Sequence, residues 1–277
     1  MRKFIKFLIG LGIILVLAGG AIVGYAAYKG KFGPVSYEEK EYSTELEFKN
    51  LKINLETTDV KFVKSEDDKC TISYVEEKGY THTFDVKNDT LEVYETCNLK
   101  WYERLFTWEF KDKTLKIALP NNVYEDISLT LATGDIDING FDFKNVLIKG
   151  STGDVYLTSV SVIENISLTL STGKTEFSNV TANSCVINDS TGDVKLNNTK
   201  IVDSLKIKSS TGDITFSRSD AKTIEVKTST GDITGSILTP KTFHTKTSTG
   251  CVEVPKTTGD DCTLTTSTGD IYITISE

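Results

Sequence analysis

Carboxylates at a fixed spacing are the residues of this chain that could do chemistry. Asp135, Asp154, Asp193, Asp213, Asp232 and Asp270 each follow a Thr-Gly pair: Thr133-Gly134, Thr152-Gly153, Thr191-Gly192, Thr211-Gly212, Thr230-Gly231 and Thr268-Gly269. Two more copies of the phrase, around Gly173 and Gly250, put Lys174 and Cys251 in the acidic place. If the copies stack as strands, the acids stand about 4.8 Å apart and repel by about 1 kcal/mol per pair at the dielectric of water. Calcium bridging would relieve that repulsion. The calcium β-roll, however, repeats paired glycines in a nonapeptide, and this sequence has neither feature. The other relief is for each Asp to accept backbone N–H groups at its turn, and that is the expectation here. Lys174 interrupts the column and would pair with Asp154 or Asp193.

Acid–base catalysis on a polysaccharide would need clustered acids in divergent environments, a metal or a basic partner. Acids that recur once per repeat are the mark of architecture. No catalytic, cofactor-binding or metal-binding residues are therefore expected, and no cofactor. The five cysteines, Cys70, Cys97, Cys185, Cys251 and Cys262, are odd in number, so they cannot all pair within the chain. They form no Cys-x-x-Cys, and the two histidines, His82 and His244, lie far apart, so no zinc site is encoded in a recognisable form. Most of these cysteines read as small buried hydrophobes, with Cys251 pointing outward.

The elements that carry the acids repeat. The glycines are 134, 153, 173, 192, 212, 231, 250 and 269, at gaps of 19 or 20 residues. Such self-similarity marks stacked supersecondary units. Seven and five residues before the glycine the positions are mostly apolar, as in Ile127 and Leu129 or Leu205 and Ile207; two and four after it they are apolar again, as in Val155 and Leu157. Alternation of period two is a half-buried strand. The inward parity switches at the glycine, which a continuous strand cannot do. A corner must stand there, and glycine suits it because it accepts positive φ. The Thr before it keeps the inward parity and is expected to stack in a column at the corner.

The fold expected is therefore all-β, a single-stranded β-solenoid of 19–20-residue coils, its eight coils making a rod roughly 35–40 Å long. One N-terminal transmembrane helix precedes it. Residues 7–28 are uncharged and long enough to span a bilayer. The stretch exceeds the apolar region of a signal peptide, and Gly24-Tyr25-Ala26 is a poor cleavage site, so an uncleaved anchor is expected. Arg2, Lys3 and Lys6 precede it against Lys29 and Lys31 after it, which places the N-terminus in the cytoplasm and the bulk outside. Beyond the anchor 26 basic residues face 39 acidic ones, a net charge of −13. That excess argues against nucleic acid and against adsorption to anionic lipid.

The domains read as 1–30, anchor; 31–44, tether; 45–126, an atypical β region capping the solenoid; and 127–277, the eight-repeat solenoid. Within the cap, Thr57-Thr58-Asp59-Val60 resembles a degenerate corner without its glycine. The segment 101–110 holds both tryptophans. As a strand it would set Tyr102, Phe106, Trp108 and Phe110 on one face; a membrane-interface dock or ligand platform is one reading of Trp101, Tyr102, Phe106 and Trp108, and cover for the open end of the solenoid is the expected one. At the other end, the strand 270–275 has nothing after it to cover its edge, which invites self-association there.

In this order the anchor, the degenerate strands, the aromatic patch, Leu-Lys-Ile-Ala-Leu-Pro at 115–120 and the tandem S-T-G-D-[IV]-x-[ILF] phrase resemble a bacterial β-strand-repeat family, the "putative adhesin" or toastrack-like domain of unknown function. The resemblance covers about 45–277 and implies a β-solenoid on the outer side of a Gram-positive type membrane, in a family associated with envelope-stress loci. It supplies no catalytic residues. The function expected is a non-catalytic scaffold for adhesion, binding or envelope-stress sensing, with a cell-wall glycan or a membrane protein as partner. The alternatives are a self-assembling structural protein and a polysaccharide-active enzyme.

Overall fold

The computed structural model describes residues 2–28, 37–67, 69–77, 79–99 and 113–276. The helix α1 (Arg2–Tyr28) contains an apolar stretch, Phe4–Tyr25, of mean hydropathy 2.6, long enough to cross a membrane, and none of that stretch is buried against the rest. Among the described residues everything else that is regular is strand. Trp101, Tyr102, Phe106 and Trp108 lie outside the described residues.

Among the described residues seven strands precede the repeat: β1 (Tyr37–Thr44), β2 (Asn50–Leu55), β3 (Asp59–Lys64), β4 (Cys70–Glu77), β5 (Tyr80–Lys87), β6 (Thr90–Cys97) and β7 (Thr114–Leu119). Each motif coil then supplies a longer strand before its glycine and a shorter one after it. These are β8 (Val123–Thr133) with β9 (Ile136–Asn139), β10 (Asp142–Thr152) with β11 (Val155–Thr158), β12 (Ser161–Thr172) with β13 (Thr175–Ser178), and β14 (Thr181–Thr191) with β15 (Val194–Asn197). There follow β16 (Lys200–Lys208) with β17 (Ile214–Ser217), β18 (Asp220–Lys227) with β19 (Ile233–Ile237), β20 (Lys241–Lys246) with β21 (Val252–Glu253), and β22 (Asp260–Thr265) with β23 (Ile271–Ile275). The long strands join an 11-stranded sheet and the short ones a 12-stranded sheet, with parallel pairing from coil to coil. This is the β-solenoid. Its core lies between the two sheets, where Ile148, Leu168, Ile187 and Ile207 stack with Leu157, Phe177, Leu196 and Phe216, all at most 2% exposed.

A second corner follows each of the short strands β9, β11, β13, β15 and β17. Gly140, Ser159, Asn179, Asn198 and Arg218 have φ between +46° and +78°, the left-handed region that Asn tolerates better than most residues. The alternation of 19 and 20 residues also has a structural cause. In β12, Ile163 and Glu164 lie where β10 has only Lys144, and in β16, Val202 and Asp203 lie where β14 has only Asn183. Each β-bulge absorbs the extra residue and pushes an aliphatic side chain into solvent, Ile163 at 62% and Val202 at 73% exposure.

The stacking order departs from the sequence order at both ends. The short-strand sheet ends β17-β19-β23-β21 and the long-strand sheet β16-β18-β22-β20, so the last coil is inserted beneath the one before it. The expectation that strand 270–275 forms the open edge is thus corrected: β23 lies between β19 and β21, and the outermost layer is β20 with β21. At the other end β2 and β3 lie between β6–β7 and β8–β9. The expected tether also needs correction, because residues 37–44 form β1, antiparallel to β4 at the sheet edge. Both new edges are blunted in ways that discourage strand addition: β20 carries Lys241, His244 and Lys246, β21 has two residues, and β1 carries Glu38, Glu39, Lys40 and Glu41.

Candidate functional site

At the repeated corner all eight motif glycines have φ between +137° and +155°. A Cβ on Gly153, Gly173 or Gly192 would lie 2.0, 1.9 or 1.8 Å from the carbonyl oxygen of the motif glycine one layer before. The glycine is needed twice over, for its dihedral and because the backbone of the next layer occupies the place of a side chain. Its own N–H donates to the neighbouring Thr carbonyl, as from Gly153 to Thr172 and from Gly192 to Thr211.

The carboxylates serve this stack. Asp59 Oδ1 accepts the N–H of Asp135 at 2.8 Å, Asp135 that of Asp154 at 2.7 Å, and Asp154 that of Lys174 at 2.7 Å. Asp193 accepts from Asp213, Asp213 from Asp232, Asp232 from Asp270, and Asp270 from Cys251. The acceptor role expected of the column is present, though the donor belongs to the next layer rather than to the same turn. The order of these bonds also accounts for two departures from the phrase. Cys251 sits in the outermost layer, where no further N–H awaits an acceptor. Asp59 begins the series from Thr57-Thr58-Asp59-Val60, the corner without glycine.

Two expectations at the corner are corrected. The motif threonines are exposed, not inward; the corner turns before them, and the column that faces in is two residues earlier, with Leu131, Leu170 and Thr266 buried. Lys174 forms no ion pair with Asp154 or Asp193. Its ammonium pairs with Glu176 and lies 5.6 Å over the Tyr156 ring, while the Tyr156 hydroxyl donates to Asp154 Oδ2 at 2.9 Å. That bond, with some burial, pushes the Tyr156 phenol up to about 12.

Each end of the stack has a buried ionic device that the sequence reading missed. Near the N-terminal end Glu95 accepts the N–H groups of Glu56 and Thr57 at 2.7 and 2.9 Å and the Thr58 hydroxyl at 2.9 Å. These bonds replace the motif at the first corner. His82 stands 3.8 Å from Glu95, both side chains 1% exposed, and burial lowers the imidazole pKa against the pull of Glu95 and Glu76. Near the other end Lys241, 2% exposed, pairs with Asp220 at 3.0 Å and donates to the Ala221 carbonyl at 2.6 Å. Asp220 also accepts from Thr239 at 2.7 Å.

Cys70, Cys185 and Cys262 are buried and free, and burial pushes each thiol up to about 12, which keeps it protonated and inert. Cys251 is exposed. Among the described residues no three His, Cys, Asp or Glu side chains are placed to hold a metal ion. A groove of about 720 Å³ lies between the β1–β2 link and the start of β8, lined by Leu46, Phe48, Lys49, Asp89, Val123 and Tyr124. Leu46 and Val123 are 62% and 59% exposed. Its volume is that of an ordinary ligand site.

Comparisons with known proteins agree with this architecture. A solved structure from Bacteroides fragilis, described as a "putative adhesin", aligns with a TM-score of 0.55 at 18% identity, covering 86% of this chain and 97% of that one. A second "putative adhesin", from Parabacteroides distasonis, aligns at a TM-score of 0.48 and 11% identity over 86% of this chain and 97% of that one. The first of these speaks to fold alone. No curated protein matches the sequence. The family profile described as Toastrack DUF4097 matches residues 48–237 and 200–277, and the chain belongs to that family.

Proposed function

We propose that this protein is a non-catalytic scaffold, anchored by α1 in the cell membrane with its N-terminus in the cytoplasm and its β-solenoid outside, which presents a binding surface to a cell-envelope partner. One observation carries the reading: the recurring carboxylates, the residues best suited to acid–base work, are engaged as acceptors of backbone N–H groups in the next layer. A carboxylate held in this way positions a chain rather than a proton. The groove beside Leu46, Phe48 and Val123 is a concavity of ligand-site volume with exposed apolar side chains, so we assign partner contact to that end. The net charge of −13 beyond the anchor favours a neutral glycan or a basic protein surface over an anionic polymer.

The test is retention of the full chain, in detergent, on purified cell-wall glycan and on detergent-extracted membrane proteins of the same cell. Selective retention on either, lost on Leu46→Asp with Val123→Asp, supports the reading. Release of soluble sugar from the glycan by the purified protein would sink it.

A further inference from the structure

Three exceptions to the repeat lie on one seam, between the layer β12–β13 and the layer β14–β15. The first is Lys174, which takes the acidic place and offers no side-chain acceptor to the N–H of Asp193 in the next layer; elsewhere along the motif the carboxylate fills that role. The second is Asp189. It occupies the inward column three residues before the glycine, opposite Leu170 in β12. It is 6% exposed, and neither carboxyl oxygen completes a well-aligned hydrogen bond, the backbone N–H groups of Ser190 and Thr191 offering only weak ones. The third is Thr175, fully buried in an otherwise apolar column, its hydroxyl also without a partner.

Two of the four later polar side chains in the Asp189 column bond to the adjoining layer, whereas Thr228 donates to the Thr230 carbonyl of its own turn and Ser209 has no partner. Thr266 Oγ1 donates to the Gly231 carbonyl at 3.1 Å, and Thr247 Oγ1 to the Gly269 carbonyl at 3.0 Å. In each case the hydroxyl ties its layer to the glycine of the layer before. The corresponding carbonyl for Asp189 is that of Gly173. The place where a Cβ on Gly192 would sit is 1.8 Å from the Gly173 oxygen and 2.9 Å from Asp189 Oδ2, so the two oxygens flank one point and lie under about 5 Å apart. A carboxylate is acceptor only, whereas a carboxylic acid has one O–H to donate.

We propose that this seam is a proton-operated joint: protonated Asp189 donates to the Gly173 carbonyl and closes the layers as threonine does further along, and ionised Asp189 sets two acceptors against each other and loosens them. The proton comes from solvent and returns to it. The environment supports the assignment. Burial pushes the Asp189 carboxyl up from 3.8 to about 6, tempered by the N–H groups of Ser190 and Thr191 and assisted by the charge of Asp193. By register Leu170 of β12 and Ser209 after β16 flank it, and Thr175 of β13 and Val194 of β15 are buried inward positions of the facing sheet; none of them is titratable. Lys174, Glu176, Lys195 and Lys208 belong to the outward faces of the same strands and corner.

Because the folded value is raised, the closed seam holds its proton where the unfolded chain has lost it. Closure is therefore strongest at acid pH, weakens as pH rises from about 4 to about 6, and changes no further above that. The two values bound the effect at about a hundredfold in the opening equilibrium.

The experiment is hydrogen exchange of the full chain in detergent between pH 4 and pH 7, corrected for intrinsic rates, with Asp189→Thr and Asp189→Asn alongside. In the natural protein, opening of the amides of Thr175–Val194 should rise up to a hundredfold across that range, while those of Asp220–Ile237 follow their own common trend. Asp189→Thr should abolish the excess, and Asp189→Asn, whose amide donates at every pH, should do the same. Equal pH profiles for the natural protein and Asp189→Thr would overturn the proposal, as would a rise of equal size in every layer.

Discussion

Asp154 Oδ1 lies 2.7 Å from the backbone nitrogen of Lys174, in the next layer of the stack, and accepts its N–H. The same relation joins Asp213 to Asp232 at 2.9 Å. It is charge-assisted and local to one corner, so it can be removed without opening the core. Asp213→Ala should cost about 1–2 kcal/mol in urea unfolding, since the Asp232 N–H then turns to water. The reverse change, Lys174→Asp, supplies the missing acceptor to Asp193 and should stabilise by about 1 kcal/mol if the new carboxylate completes the series.

The two corners respond differently to side chains. Gly192→Ala places a methyl 1.8 Å from the Gly173 carbonyl at φ +155°, and the backbone there has nowhere to go. It should cost more than about 3 kcal/mol, or prevent folding. Gly140→Asn at the second corner should change stability by less than about 1 kcal/mol, because the nearest atom to a Cβ is the flexible Lys64 Cε at 3.4 Å and Asn179 and Asn198 already occupy the equivalent place. Thermal unfolding of the two variants side by side checks the contrast.

Lys241→Met should destabilise by about 3–5 kcal/mol, because it leaves Asp220 with only Thr239 and a backbone N–H in a buried place. Adding Asp220→Asn should recover most of that loss, since the cost lies in the unpaired charge. Urea midpoints of the single and double variants decide between a charge effect and lost packing.

Glu225 accepts from Lys206 at 2.7 Å and Lys227 at 2.6 Å, and these bonds hold its carboxyl down at about 2. Its folded value is depressed, so its contribution is present above the ordinary carboxylate range near 4.5 and is lost as pH falls toward 2. The side chain is a third exposed, and solvent screening limits the contribution to under about 1 kcal/mol. The difference in unfolding free energy between the natural protein and Glu225→Gln should therefore be small at pH 7 and vanish near pH 2.

The sequence carried the solenoid, its period, the parity switch and the corner glycine, because each is a property of one coil repeated. It did not carry what depends on which coils touch. The threonines were placed inward by parity, and a corner that turns one residue earlier leaves them in solvent. The stacking order at the C-terminal end did leave a trace. Cys262, Leu264, Ile271 and Ile273 form a full apolar set suited to burial on both sides, whereas Phe243, Thr245 and Thr247 in the preceding coil do not. The weaker coil is the outer one. Glu95 had no such signal, since its role comes from a chain crossing that brings it beside Thr58 from 37 residues away.

The interchange of layers at the two ends sets a sequence of events for assembly. Along the middle of the stack, bonded aspartates are 19 or 20 residues apart; at the ends the separation is 38 for Asp232 with Asp270 and 76 for Asp59 with Asp135. Short loops close sooner than long ones, so the middle layers can zip while both ends remain open. As the chain emerges during synthesis, β20 and β21 appear before the layer on which they rest. They must wait, then swing over β22 and β23 as a latch. The last layer made locks the one before it, and a chain cut short of β22 would keep its middle and lose its closure.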